Sequence, residues 1–64
     1  ALRAQRRPVE VGSEALVGQW GVVDTELAPF GKVFVAGELW SAKVKDPSAR
    51  VEAGKSVQVV SVEG

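Results

Sequence analysis

The chain has 64 residues, 45% of them hydrophobic, with eight basic residues balancing eight acidic ones. That length holds one domain at most, too apolar for a disordered tail and, at zero net charge, short of the electrostatic surplus that tight polyanion binding draws on. The absence of Cys and His removes disulfides, thiolate nucleophiles, the usual general base and the usual zinc ligands.

Residues 1–8, ALRAQRRP, read as a helix end or basic linker stopped by Pro8. Residues 9–17 form a lead-in, with a turn signal at Gly12-Ser13 and one short helical turn from Glu14 to Val17. A first strand is predicted from about Gln19 to Glu26, with Trp20 and Val22 on one face and Gly21 and Val23 on the other. In the loop Leu27-Ala28-Pro29-Phe30-Gly31, Pro29 presets a turn and Gly31 is expected to take a positive φ. A second strand, Lys32 to Ala36, is joined by a tight hairpin at Ala36-Gly37-Glu38 to a third, Glu38 to Val44. Trp40, Ala42 and Val44 share the inward face of that third strand.

After a polar loop around Asp46-Pro47-Ser48, Val51 reads as a buried anchor and Gly54 as a left-handed turn residue. The last strand, about Ser56 to Glu63, carries valines on both faces, as a central or bulged strand does. Strands this short in so small a sheet call for closure into a barrel. Closure here needs either the segment before Trp20 or a strand beyond Gly64. The start without Met and the end at Glu63-Gly64 both read as cuts from a longer chain.

An ordered set of residues carries a family resemblance: Arg7-Pro8, Gly12, Leu16-Val17-Gly18, Gly21-Val22, Thr25, Leu27, Pro29, Gly31 and Val33. It continues through Gly37-Glu38-Leu39-Trp40, Ala42, Gly54, Val57, Val59-Val60 and Val62-Glu63-Gly64. This pattern, above all L-x-P-x-G followed by G-E-L-W-x-A, resembles the C-terminal soluble domain of NfeD-like membrane proteins. The resemblance implies an all-β, OB-fold-like small barrel of about five short strands. It implies a juxtamembrane linker and lead-in over residues 1–15 and the barrel over 16–64. It also implies a membrane helix upstream, a further short strand past Gly64, and partners among membrane scaffolds of the stomatin, prohibitin or flotillin type. A role in membrane organisation or in regulating a membrane protease follows, and none of the protease machinery of some relatives maps onto these residues.

Candidate site residues follow from this. Arg3, Arg6 and Arg7 read as a juxtamembrane basic cluster, which would place the domain on the cytoplasmic face of a cell membrane, or as a solvated linker. Leu27, Pro29 and Phe30 form an apolar loop offered as a contact surface for a protein partner, self-association included, unless Phe30 folds back to cap a barrel end. Phe34 alternates with Val33 and Val35, so it is exposed if the valines are core and buried if they are not. Trp20 and Trp40 suit stacking on single-stranded nucleic acid, but Trp40 shares the core face, and Asp24 and Glu26 beside Trp20 repel phosphate; no nucleic acid is expected. The serines and lysines show no catalytic spacing and the acidic residues no calcium-loop spacing, so no catalytic residue, metal or cofactor is expected. A biotinyl/lipoyl-type carrier domain, with Lys43 or Lys45 modified, is the remaining alternative, without the usual Met-flanked lysine.

Overall fold

The computed structural model describes residues 7–62. It holds five strands: β1 (Pro8–Val11), β2 (Trp20–Thr25), β3 (Phe30–Val35), β4 (Glu38–Val44) and β5 (Ser56–Val62). A single 3-10 turn, Glu14–Leu16, lies between β1 and β2. The strands close into a barrel in the order β1-β4-β3-β2-β5, with β5 returning to β1. All pairings are antiparallel except β1 with β5. The expected all-β closed barrel of about five strands is therefore found.

The lead-in reading of residues 9–11 is corrected: they belong to β1, so the barrel begins at Pro8 and not at residue 16. Of the two ways to close the barrel, the segment before Trp20 is the one used. The short alternation Val9-Glu10-Val11 explains it. Both valines are fully buried, and Glu10 faces outward, where its carboxylate takes an ion pair from Lys45 at 3.1 Å. The strand is inserted between two others, so its backbone groups are used on both sides. The flanking residues extend this, with the Lys45 N–H donating to the Pro8 carbonyl and the Gln58 N–H to the Arg7 carbonyl, each at 3.1 Å.

Period-two alternation builds the core. Val9, Val11, Val23, Val33, Val35, Ala42, Val44, Val57 and Val59 point inward from all five strands. Leu16, Leu27 and Val51 come from the connections, and Trp40 and Ala49 lie against the cluster. The valines on the second face of β5 are explained by a bulge: Val9 pairs with Val59 and Glu10 with Ser61, leaving Val60 without a register partner on β1. β5 is also central, since it pairs β2 on its other side.

Two connections behave as read. Ala36 and Gly37 form a two-residue hairpin loop with positive φ at both, 53° and 82°, the pattern of a type I′ turn. Gly54 is left-handed, with φ 90°. Gly31 is a correction. It lies inside β3, and its lack of a side chain answers a close approach: a Cβ there would stand 2.6 Å from the Thr25 carbonyl oxygen and 2.8 Å from Leu27 Cδ2.

Candidate functional site

Leu27 was expected at an exposed contact surface. It is fully buried. The Leu27 N–H donates to the Val51 carbonyl at 2.9 Å and the Val51 N–H to the Leu27 carbonyl at 3.0 Å. This isolated antiparallel bridge draws the β2–β3 and β4–β5 connections together over one end of the barrel. Leu27, not Phe30, closes that end, so Leu27 is removed from the candidate surface and the capping role is removed from Phe30.

Phe30 instead begins β3. In that strand Gly31, Val33 and Val35 point inward, so Phe30, Lys32 and Phe34 point outward. Phe30 is 63% exposed and Phe34 49%. The valines are core, and Phe34 is the exposed residue of that pair of options. The hairpin register then sets Phe34 directly opposite Leu39 on β4 and opposite Val22 on β2. Leu39 is 55% exposed and Val22 45%. Trp20, 46% exposed, lies two residues before Val22 on the same outer face. Across β2, β3 and β4, Val22, Phe34 and Leu39 thus form one outward apolar row, with Trp20 extending it along β2.

Trp20, Val22 and Leu39 were not singled out as a surface. The signal was in the chain all the same. A two-residue turn at Ala36-Gly37 fixes the β3–β4 register, and once Val33 is inward, its neighbours Phe34 and Leu39 must share the other face.

The next rows along the same face are basic. Lys32 stands opposite Ser41, and Phe30 opposite Lys43. The Lys32 ammonium donates to Ser41 Oγ at 2.9 Å. The Lys43 ammonium sits 5.8 Å from the centre of the Phe30 ring, within cation–π range. Neither lysine has a carboxylate partner among the described residues, whereas Lys45 and Arg50 are paired with Glu10 and Glu26. Asp24 sits on the outer side of β2 at the irregularity between Val23 and Thr25. There the Thr25 side chain accepts the Lys32 N–H at 2.9 Å.

Other candidates fall into place. Trp40 lies against the core as expected, which removes it as a stacking platform. Lys45 closes β4's end in an ion pair and does not cap a hairpin, so it does not present itself as a carrier lysine would. The Lys32–Ser41 pair lies on an open strand face, and among the described residues there is no cavity to hold a substrate beside it. No cluster of three or more acidic side chains suited to a metal ion forms among the described residues. Arg7 is half-buried at the start of β1; Arg3 and Arg6 lie outside the described residues. No helix among the described residues is long and apolar enough to cross a membrane.

Comparison with known proteins adds the following. The family model described as "NfeD-like C-terminal, partner-binding domain" matches residues 13–64. The chain is 38% identical over 63 residues to the "Membrane-bound protease PH1510" of Pyrococcus horikoshii, covering 98% of this chain and 14% of that protein. It is 33% identical over 60 residues to the "Uncharacterized protein MJ0826" of Methanocaldococcus jannaschii, covering 91% of this chain and 41% of that protein. The chain therefore spans less than half the length of either relative. No solved structure matches it.

Proposed function

This chain belongs to the NfeD-like family, as a C-terminal, partner-binding domain, and from that premise we propose that it is a non-catalytic docking module carried by a membrane protein. Its partner is a membrane scaffold of the stomatin, prohibitin or flotillin type. The docking face is the outer row Val22, Phe34 and Leu39, with Trp20 beside it. In a relative named as a membrane-bound protease, such a module would bring the scaffold to the protease without taking part in peptide cleavage. The basic residues Arg3, Arg6 and Arg7 support a position just cytoplasmic of a membrane helix.

One observation carries the reading. In a closed barrel with no cavity among the described residues, three large apolar side chains stand in register on the outside with Trp20 beside them, outside the buried core. Contiguous apolar surface rimmed by polar residues marks an interaction site. Because closure leaves no strand edge between the described strands, a partner must be recognised by these side chains and not by an added strand.

The test is crosslinking and affinity capture from solubilised native membranes, with the intact parent protein, a version lacking this domain, and a Phe34→Asp, Leu39→Asp version. Loss of a scaffold protein of the named class in both altered versions is expected. A partner set that is the same for all three would assign the association to another part of the parent.

A further inference from the structure

Resting on the docking reading above, the charge pattern of the same face says what kind of segment occupies it. Along the outside of β3 and β4 the rows run from apolar to basic. Phe34 and Leu39 come first, then Lys32 with Ser41, then Phe30 with Lys43. The two ammonium groups project from adjacent strands, Lys32 from the middle of β3 and Lys43 from near the end of β4, and neither is ion-paired with a carboxylate within the described residues, whereas Lys45 and Arg50 are paired. The Lys32 ammonium donates to Ser41 across the β3–β4 pair and Lys43 lies beside an exposed aromatic ring. On its other side Lys43 stands opposite Glu10 of β1, whose carboxylate is taken by Lys45, so in a chain of zero overall charge Lys32 and Lys43 are the cations on this face without an ion pair.

We propose that the partner contributes an acidic amphipathic segment. Its apolar side chains cover Trp20, Val22, Phe34 and Leu39, and its carboxylates meet Lys32 and Lys43. The apolar row supplies the desolvated centre of the contact and the lysines supply its polar rim, the usual anatomy of a protein interface. Rim charges of this kind select partners and speed association more than they add affinity. A basic amphipathic segment would be rejected by like charge, and so would a second copy docked with its Lys32 region against this one.

A nucleic-acid strand is the competing occupant, since aromatic side chains and lysines alternate on this face. The structure favours the peptide. Two aliphatic side chains, Val22 and Leu39, flank Phe34 on either side in register. Asp24 shares the outer face of β2, and only two cations stand on it.

The experiment is a selection of displayed random 16-residue peptides on the immobilised 64-residue chain at low ionic strength, with binders then measured by fluorescence anisotropy. Expected are binders with spaced aromatic or aliphatic residues flanked by Asp and Glu. They should weaken at least tenfold on the double change Lys32→Glu, Lys43→Glu and lose most binding in 0.5 M salt. They should also lose binding on Phe34→Asp, with circular dichroism showing each variant folded; the double change Lys32→Ala, Lys43→Ala serves as the milder second variant. Binders without acidic bias, or indifferent to both lysine changes, overturn the acidic segment; if Phe34→Asp still abolishes them, the docking face itself stands. Binders indifferent to Phe34→Asp as well, or no binders at all, overturn both. A single-stranded oligonucleotide of thymidines that binds more tightly than any selected peptide overturns the choice of a peptide occupant.

Discussion

Leu27 and Val51 face each other across two loops and exchange both backbone hydrogen bonds, at 2.9 and 3.0 Å. Neither residue belongs to a strand, yet both side chains are buried in the core. Flanking bonds continue the arrangement, with the Val23 N–H donating to the Lys55 carbonyl at 2.9 Å and the Gly54 N–H to the Val23 carbonyl at 2.8 Å. The β4–β5 connection is thus laced along the end of β2, and Leu27 is the plug it holds in place.

Leu27→Ala should therefore act on stability. Truncating a fully buried leucine costs about 2–5 kcal/mol through lost transfer energy and the cavity left behind. In a domain whose whole stability is on the order of 5 kcal/mol, that leaves a marginal fold. Urea titration followed by circular dichroism is the measurement. A midpoint unchanged from the parent chain would show that Leu27 is not the plug.

Two glycines are required by neighbouring backbone and one is not. A Cβ on Gly21 would stand 2.5 Å from the Phe34 carbonyl oxygen, and one on Gly31 would stand 2.6 Å from that of Thr25. Backbone oxygens inside a paired sheet have little room to yield. Gly21→Ala and Gly31→Ala should each cost about 1–3 kcal/mol by overpacking. Gly12, with open space around its Cβ position and no positive φ, is the control, and Gly12→Ala should stay within about 0.5 kcal/mol of the parent chain. Equal denaturant midpoints for all three variants would refute the close approach.

Much of this fold is legible in the chain because valine alternation and a few turn residues speak for themselves. Val33 and Val35, then Ala36-Gly37, then the β4 run from Glu38 to Val44 give a hairpin with a single workable register. Val51 and Gly54 likewise take the positions their residue types suggest. Two features were not legible. Pro8–Val11 is a strand only because β4 and β5 offer it backbone partners on both sides, a non-local pairing that four residues cannot announce. Leu27 is buried only because a loop twenty-four positions later bonds to it; a Leu next to Pro29 and Phe30 looks the same when exposed. The outer row was half legible. Phe34 had to lie on the face opposite Val33 and Val35, but which face is core was open from the alternation alone, and its meeting with Val22 depends on the β2–β3 register, which an irregularity at Asp24 shifts.

Ala36 has φ 53° without being glycine. A left-handed conformation costs an ordinary residue roughly 1–2 kcal/mol, and less for asparagine. Type I′ hairpins favour Asn-Gly for this reason. Ala36→Asn should raise stability by about 0.5–1 kcal/mol, seen as a higher urea midpoint with an unchanged slope. A lower midpoint would mean that the hairpin holds Ala36 in some other conformation.

Asp46 accepts hydrogen bonds from the Ser48 hydroxyl at 2.7 Å and from the Ser48 N–H at 3.0 Å. The hydroxyl first, and the backbone N–H second, hold its carboxyl below the ordinary value. Both bonds favour the charged form, so the turn is supported above the ordinary aspartate range and loses that support as pH falls through the lowered value. Ser48→Ala removes the stronger donor. The Asp46 carboxyl carbon, followed by NMR during an acid titration, should then titrate at higher pH than in the parent chain. An unmoved titration would show that the hydroxyl bond is absent in solution.

Trp40 presents an opposite problem, a donor without an acceptor. It shares the inner face of β4 with Ala42 and Val44 and lies against the core, and its indole Nε1 is buried with no hydrogen-bond partner. A buried unpaired donor costs about 1–3 kcal/mol. Trp40→Phe removes that donor while keeping most of the ring, so the lost packing and the relieved polar group should offset, leaving stability within about 1 kcal/mol of the parent chain. Trp40→Ala keeps no ring and should cost about 3 kcal/mol or more. Fluorescence separates the two tryptophans in the same samples. Trp20 is exposed and should emit at longer wavelength than the core-packed Trp40, so the shorter-wavelength component should vanish in both variants, while the urea midpoint falls steeply only in Trp40→Ala. A Trp40→Phe variant as unstable as Trp40→Ala would mean that the indole N–H has a partner and contributes to the fold.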